Sequence, residues 1–126
     1  VLKLLAVGVG GMIGALARYG LSLWIAELSE SKVPYGTFTV NVLGCLLIGF
    51  FMGWFARRPD VPDATRLLVI TGILGSLTTF STFGYETMTL VRDEEWRAFF
   101  IYFGANIIVG LSAVELGRVI ANKLAG

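Results

Sequence analysis

Thr71-Gly72-Ile73-Leu74-Gly75-Ser76-Leu77-Thr78-Thr79-Phe80-Ser81-Thr82-Phe83-Gly84 lies inside an apolar stretch that runs from Leu67 to about Val91. The flanks are long enough and greasy enough for a membrane span, which needs about 20 mostly apolar residues. The middle is different. Glycine and hydroxyl residues stand where leucine would normally be. Hydroxyl side chains compete with the backbone for hydrogen bonds, and glycine is a weak helix former. Two readings stand level. Either the helix breaks near Gly75 to Thr79, or it continues and its hydroxyls bond their own carbonyls four residues back. A break in lipid frees main-chain groups that must find partners, so it occurs where it lines a cavity or coordinates an ion.

Three more spans surround this one. They cover about residues 4–26, 36–56 and 98–116, with the third at 67–91, so the chain 1–126 reads as a single four-helix transmembrane domain. The connections are short and charged: Glu27 to Tyr35, Arg57 to Arg66, and Arg92 to Arg97, with Arg118 to Gly126 as a tail. All three prolines fall in the connections. The first span also carries Lys3 and an Ala15-Leu16-Ala17 cleavage-like triplet, but apolar character resumes directly after Arg18, which favours a span over a signal peptide. Lys3, Arg57, Arg58, Arg66, Arg118 and Lys123 fall on one side of the membrane, against Lys32, Arg92 and Arg97 on the other. The positive-inside rule mildly favours cytoplasmic termini, and the bias is small enough to permit both orientations.

Composition closes off other classes. The 126 residues are 56% hydrophobic and 15% charged, against about 25% charged in a soluble domain. There is no histidine and one cysteine, Cys45. That removes disulfide frameworks, ordinary Cys/His zinc sites and histidine-dependent nucleophilic catalysis, and no enzyme chemistry is written here. A net charge of +1 offers no basic face for nucleic acid.

Inside the spans, Gly10 and Gly14 form a G-x-x-x-G, as do Gly49 and Gly53. Such steps let two helix backbones approach closely, within the subunit or across a dimer interface. Asn41 and Asn106 sit among apolar neighbours and should face the protein interior, as interhelical glue or as donors along a polar path. Arg18, Glu86 and Glu115 are intramembrane charges. Glu115 and Arg118 are spaced to pair, Glu86 follows the hydroxyl run, and Arg18 is long enough to snorkel to an interface.

Together these residues resemble the Fluc (CrcB) family of fluoride channels. The resemblance covers the whole chain and rests on Gly36-Thr37 through Val40-Asn41 and on Leu77-Thr78-Thr79-Phe80-Ser81-Thr82-Phe83. It implies an all-α membrane protein of the inner (plasma) membrane, with the third helix broken mid-membrane. It implies an antiparallel, dual-topology homodimer with two pores, through which fluoride leaves the cell passively and its toxicity is relieved. It further implies a structural sodium ion at the centre, held by the backbone carbonyls of Gly75 and Thr78. Asn41, Phe80 and Phe83 would line the fluoride pore. Thr79, Ser81, Thr82 and Glu86 would belong to a polar track. In the fourth span Asn106 and Gly110 stand where family members often carry serine or histidine. Asn106 can donate, Gly110 cannot, and Ser112 is a possible replacement. Ser76 stands where the family often has glycine.

The chemistry agrees. Fluoride holds its water strongly, so a pore must replace that water with amide and hydroxyl donors, and must bind weakly enough to release. The positive edges of phenyl rings suit an anion, although aromatics in spans are mostly packing residues. The competing function is a small four-helix dimeric multidrug or cation exporter. Proton-coupled export of that kind needs an acid in the core of the first span, where this chain has Arg18 and reaches its first acid only at Glu27.

Overall fold

The computed structural model describes residues 1–126 and is entirely helical. α1 spans Leu2–Leu28 and α2 spans Tyr35–Ala56. The third span begins as α3 (Asp63–Arg66), widens into a π-helix over Leu67–Leu74, continues as α4 (Gly75–Leu77) and resumes as α5 (Phe80–Arg92). α6 closes the chain at Trp96–Ala125. Four helical stretches are long and apolar enough to cross a membrane: Leu2–Leu28, Tyr35–Ala56, Asp63–Arg92 and Trp96–Ala125.

These spans are longer than hydropathy alone suggests. The supposed tail from Arg118 is helix as far as Ala125. Charged residues end the hydrocarbon-compatible segment but do not interrupt the main-chain ladder. Ala121 is fully buried, and it faces Gly53 of α2 across the helix pair. Asp63–Arg66, read as part of a loop, is the first turn of the third span, with Pro62 just before it. A proline there forfeits no helical hydrogen bond.

Only 21 of the 126 residues are buried, and the outer surface is made of residues such as Leu4, Leu16, Trp24, Phe100, Ile108 and Leu111. Such a surface is stable in lipid and not in water. The most extensive interface is between α2 and α6, followed by α1 against the π-helix. Both glycine motifs serve these intrachain contacts. A Cβ on Gly14 would run into the carbonyl of Ile73, and one on Gly49 into the carbonyl of Val114. The glycines therefore let backbones touch, the main source of helix association where lipid removes the hydrophobic drive.

The chain turns from α5 into α6 through Asp93, Glu94 and Glu95. The amide of Glu95 donates to Leu90 O at 2.9 Å and that of Glu94 to Val91 O at 3.1 Å. This is the paired closure of a helix C-terminus that normally uses glycine. Glu94 instead holds φ 56, the chain's single non-glycine residue with positive φ. Glu94→Gly should stabilise the protein by about 1 kcal/mol, by removing the left-handed strain of a Cβ. Thermal unfolding in detergent checks this, and an unchanged or lower midpoint would contradict it.

Candidate functional site

The site begins where the third span leaves helical geometry. Gly75 is helical, at φ -62 and ψ -30. Thr78 (φ -87, ψ 156) and Thr79 (φ -149, ψ 119) are extended. The departure is thus carried by the two threonines at the end of the expected Gly75–Thr79 window, while Gly75 itself stays within the helix.

Asn41 holds this segment. Its Nδ2 donates to Thr79 O at 3.1 Å, and its Oδ1 accepts from Thr79 N at 2.8 Å. One carboxamide thus satisfies both main-chain groups of one extended residue, as a neighbouring strand would. The Thr79 amide would otherwise continue the ladder to Gly75 O, so its capture by Asn41 leaves that carbonyl without its helical donor. On the other side, Arg18 Nε donates to Ser76 O at 3.1 Å. Arg18 therefore points inward to a freed carbonyl rather than snorkelling to an interface. Satisfying main-chain groups from side chains is what makes non-helical backbone tolerable at membrane depth.

Thr79 also starts α5. Its Oγ1 accepts from Thr82 N at 3.2 Å, the usual side-chain N-cap. The same Oγ1 lies 3.2 Å from Thr82 Oγ1 and 3.4 Å from Ser81 Oγ. Thr79, Ser81 and Thr82 therefore form one cluster at a helix N-terminus, whereas Thr78 Oγ1 donates back to Leu74 O at 3.3 Å, four residues earlier.

A cavity of about 360 Å³ opens at this point, lined in part by Asn41, Gly75, Thr78, Thr79, Phe80, Phe83 and Asn106. Residues from α2, both sides of the extended segment and α6 thus meet in one place. The rings of Phe80 and Phe83 are 5.7 Å apart at 52°. Phe83 is buried against Tyr102 and Phe103 of α6, whereas Phe80 is 82% exposed. Asn106 reaches the cavity, but its Nδ2 donates to Tyr102 O at 2.8 Å, so one of its two protons is spent on its own helix. Gly75 and Thr78, expected at an ion site apart from the pore, line the same cavity in the single chain.

A chain with this geometry can be matched to known proteins. The profile of the family described as CrcB-like protein, Camphor Resistance (CrcB), matches residues 5–118. The chain belongs to the CrcB family. It is 42% identical to a protein of Acidobacterium capsulatum named Fluoride-specific ion channel FluC, over 98% of both chains. It is 42% identical to a protein of that name from Chloroflexus aurantiacus, over 91% of each. It is 41% identical to another from a Roseiflexus species, over 98% of this chain and 99% of that one.

In this CrcB-family chain Glu86 lies apart from the main cavity. It lines a second one of about 310 Å³, with Tyr19, Ser22 and Thr37. The hydroxyl of buried Thr37 donates to Glu86 Oε1 at 2.5 Å. Ser112 does not take the place that Gly110 leaves. It lines an apolar groove with Val109 and Leu116 and does not line the Asn106 cavity. Glu115 and Arg118 do pair, through two hydrogen bonds from the guanidinium. Sequence reading passed over Thr37, which lines the second cavity, and Tyr102, a core residue that lines neither cavity. Tyr102 is fully buried, and its hydroxyl has no partner within the chain. The signal was available: a phenol four residues before Asn106 shares its helix face, and a buried phenol needs a partner.

Proposed function

We propose that the protein is a fluoride-selective channel of the plasma membrane that lets fluoride leave the cell passively. The observation that carries this reading is the cavity lined by Asn41, Thr78, Thr79, Asn106 and the rings of Phe80 and Phe83, with no charged lining residue; Ser81 and Thr82 stand behind Thr79 and do not line it. Neutral donors can replace an anion's water without trapping it as a buried lysine would. The names carried by relatives over nearly their full length favour the same reading. Against the exporter alternative, the first span offers Arg18, bonded to Ser76 O, in place of a coupling acid.

The working unit in this proposal is an antiparallel dual-topology homodimer with two pores. It is favoured by the 82% exposure of Phe80 at the cavity and by the unpartnered apolar surface of each chain. The extended Thr78–Thr79 segment then acts as a mid-membrane break, and two such breaks face each other at the dimer axis. The donor set there fits a sodium ion: main-chain oxygens are hard ligands, and Gly75 O has lost its helical amide to Asn41. When bound, the ion supplies fixed positive charge near the pores. Gly75 and Thr78 would hold it, and the second subunit would separate it from the fluoride path. The chain's other groups do the remaining work. Asn41 holds the segment open, Thr79 gathers Ser81 and Thr82 around its hydroxyl, and Phe80 and Phe83 set the apolar wall. Glu86 and Thr37 line an outer chamber.

The test is flux. Purified protein in liposomes should release fluoride down its gradient, carry current and exclude chloride. Equal chloride flux, or strict dependence on a proton gradient, would overturn the channel reading. Phe80→Ile and Phe83→Ile should each fold, since volume and apolarity are roughly kept. Each should slow fluoride release by about fivefold or more, because ring-edge contacts of this kind are worth about 1 kcal/mol. Wild-type rates in both folded variants would return the two rings to packing roles.

A further inference from the structure

A larger groove than the cavity at Asn41 runs elsewhere on the chain. It lies between α2 and α6 near their C-terminal ends and measures about 650 Å³. Met52 and Val114 form its apolar walls, and Arg57, Arg118 and Asn122 line it as well. Beneath it Gly53 lets α2 and α6 close on each other, because a Cβ there would press on buried Ala121 at 3.1 Å. Met52 is 58% exposed, so the groove is open to whatever surrounds the helices.

Depth decides what that is. At 1.5 Å per residue, Arg118 stands about 33 Å along α6 from Trp96, against a hydrocarbon core of about 30 Å. Arg57 is the C-cap of α2, beside Arg118 in the same groove. Both guanidinium groups therefore lie at headgroup level, while Met52 and Val114 lie deeper. Polar at one end and apolar along its length, the groove has the profile of one phospholipid.

Charge selects among lipids. The ion pairs of the chain are Lys3 with Asp63 and Arg118 with Glu115. Arg57 belongs to neither, so its full charge is available. Arg118 spends Nε and one Nη on Glu115 and keeps the other Nη free. Glu115 does not line the groove and meets Arg118 from outside it, so the groove itself is lined by basic and not acidic side chains. We infer that the α2–α6 groove binds an anionic glycerophospholipid from the surrounding bilayer, its phosphate between Arg57 and Arg118 and an acyl chain along Met52. Basic pockets between membrane helices take anionic headgroups on these grounds.

The experiment is native mass spectrometry of the delipidated full chain in detergent, titrated with palmitoyl-oleoyl phosphatidylglycerol or phosphatidylcholine. Phosphatidylglycerol should be retained about fivefold or more over phosphatidylcholine, from the charge of one free arginine. Arg57→Gln should bring the two near parity, and Met52→Trp, which fills the groove, should reduce retention of both. Glu115→Gln should raise the preference for phosphatidylglycerol, because it releases Arg118. That gain cannot come from a misfolded protein. Equal retention by the wild type would overturn the inference, as would an unchanged preference in Arg57→Gln or no gain in Glu115→Gln. Inorganic phosphate should not compete at matched concentration; competition would make the site one for the free anion. Protection of Met52→Cys from a lipid-soluble maleimide in the delipidated protein would show that a second copy, rather than lipid, fills the groove.

Discussion

Asn41→Asp should lower fluoride release from liposomes by about 100-fold or more, the largest loss expected of any single substitution at the cavity. Two effects act in the same direction. Asn41 donates to Thr79 O and accepts from Thr79 N. A carboxylate can still accept from Thr79 N, but it has no proton for Thr79 O and sets two oxygens against each other. Leaving a buried acceptor unpaired costs about 1–3 kcal/mol. The same carboxylate also brings negative charge to the lining of a pore for anions, where like charges at close range repel strongly in a low dielectric. Together these exceed the roughly 2.7 kcal/mol that a 100-fold change in rate requires. Size-exclusion elution and helical circular dichroism establish that the variant is folded before flux is read. A folded Asn41→Asp protein with wild-type flux would reduce Asn41 to packing glue and remove the clamp from the pore.

That double role explains what could and could not be read in the sequence. The number of spans was legible because hydropathy is a sum over many residues, and charged turns at Glu27–Tyr35, Arg57–Arg66 and Arg92–Arg97 punctuate it. The unusual middle of the third span was legible from its hydroxyl residues. Its exact form was not. Thr78 and Thr79 became extended, and Gly75 stayed helical, because the outcome depends on which amide a distant side chain captures. Asn41 is far from Thr79 in sequence, and their meeting requires the rotation of α2 about its own axis, which α2–α6 packing sets. Arg18 gave the same difficulty. Its charge said only that it must be compensated, and both an interface and a freed carbonyl satisfy that demand. The π-helix over Leu67–Leu74 left no mark at all, since LLVITGIL reads as well with one ladder as with the other. The glycine motifs were legible as close contacts but not as to partner. Gly10 and Gly14 met the π-helix, and Gly49 and Gly53 met α6, all within one chain.

Gly75→Pro should abolish both fluoride flux and sodium-dependent stabilisation, whereas Gly75→Ala should keep both. The contrast follows from local geometry. The amide of Gly75 bonds to Gly72 O and Ile70 O, and proline has no amide to give. Proline also disfavours helical geometry at the residue before it. That residue is Leu74, helical at φ -71 and ψ -36 and buried in a cluster with Val40 and Leu77. Moving Leu74 disturbs the cluster and the extended threonines that follow, at a cost of about 3 kcal/mol or more. A Cβ at Gly75 meets only Ile70 O, at 3.6 Å, which is ordinary contact. Alanine also strengthens the helix by about 1 kcal/mol. The proposed ligands are main-chain oxygens, so alanine leaves the chemistry of the site intact and proline changes its shape. The measurement is the thermal midpoint in sodium against N-methylglucamine, with flux read in parallel. An ion that binds only the folded protein must raise the midpoint as its concentration rises. Wild type and Gly75→Ala should show that shift, and Gly75→Pro should show neither shift nor flux. If wild type itself ignores the replacement of sodium, the extended segment is held by Asn41 and Arg18 alone, and the proposed ion has no part in the fold.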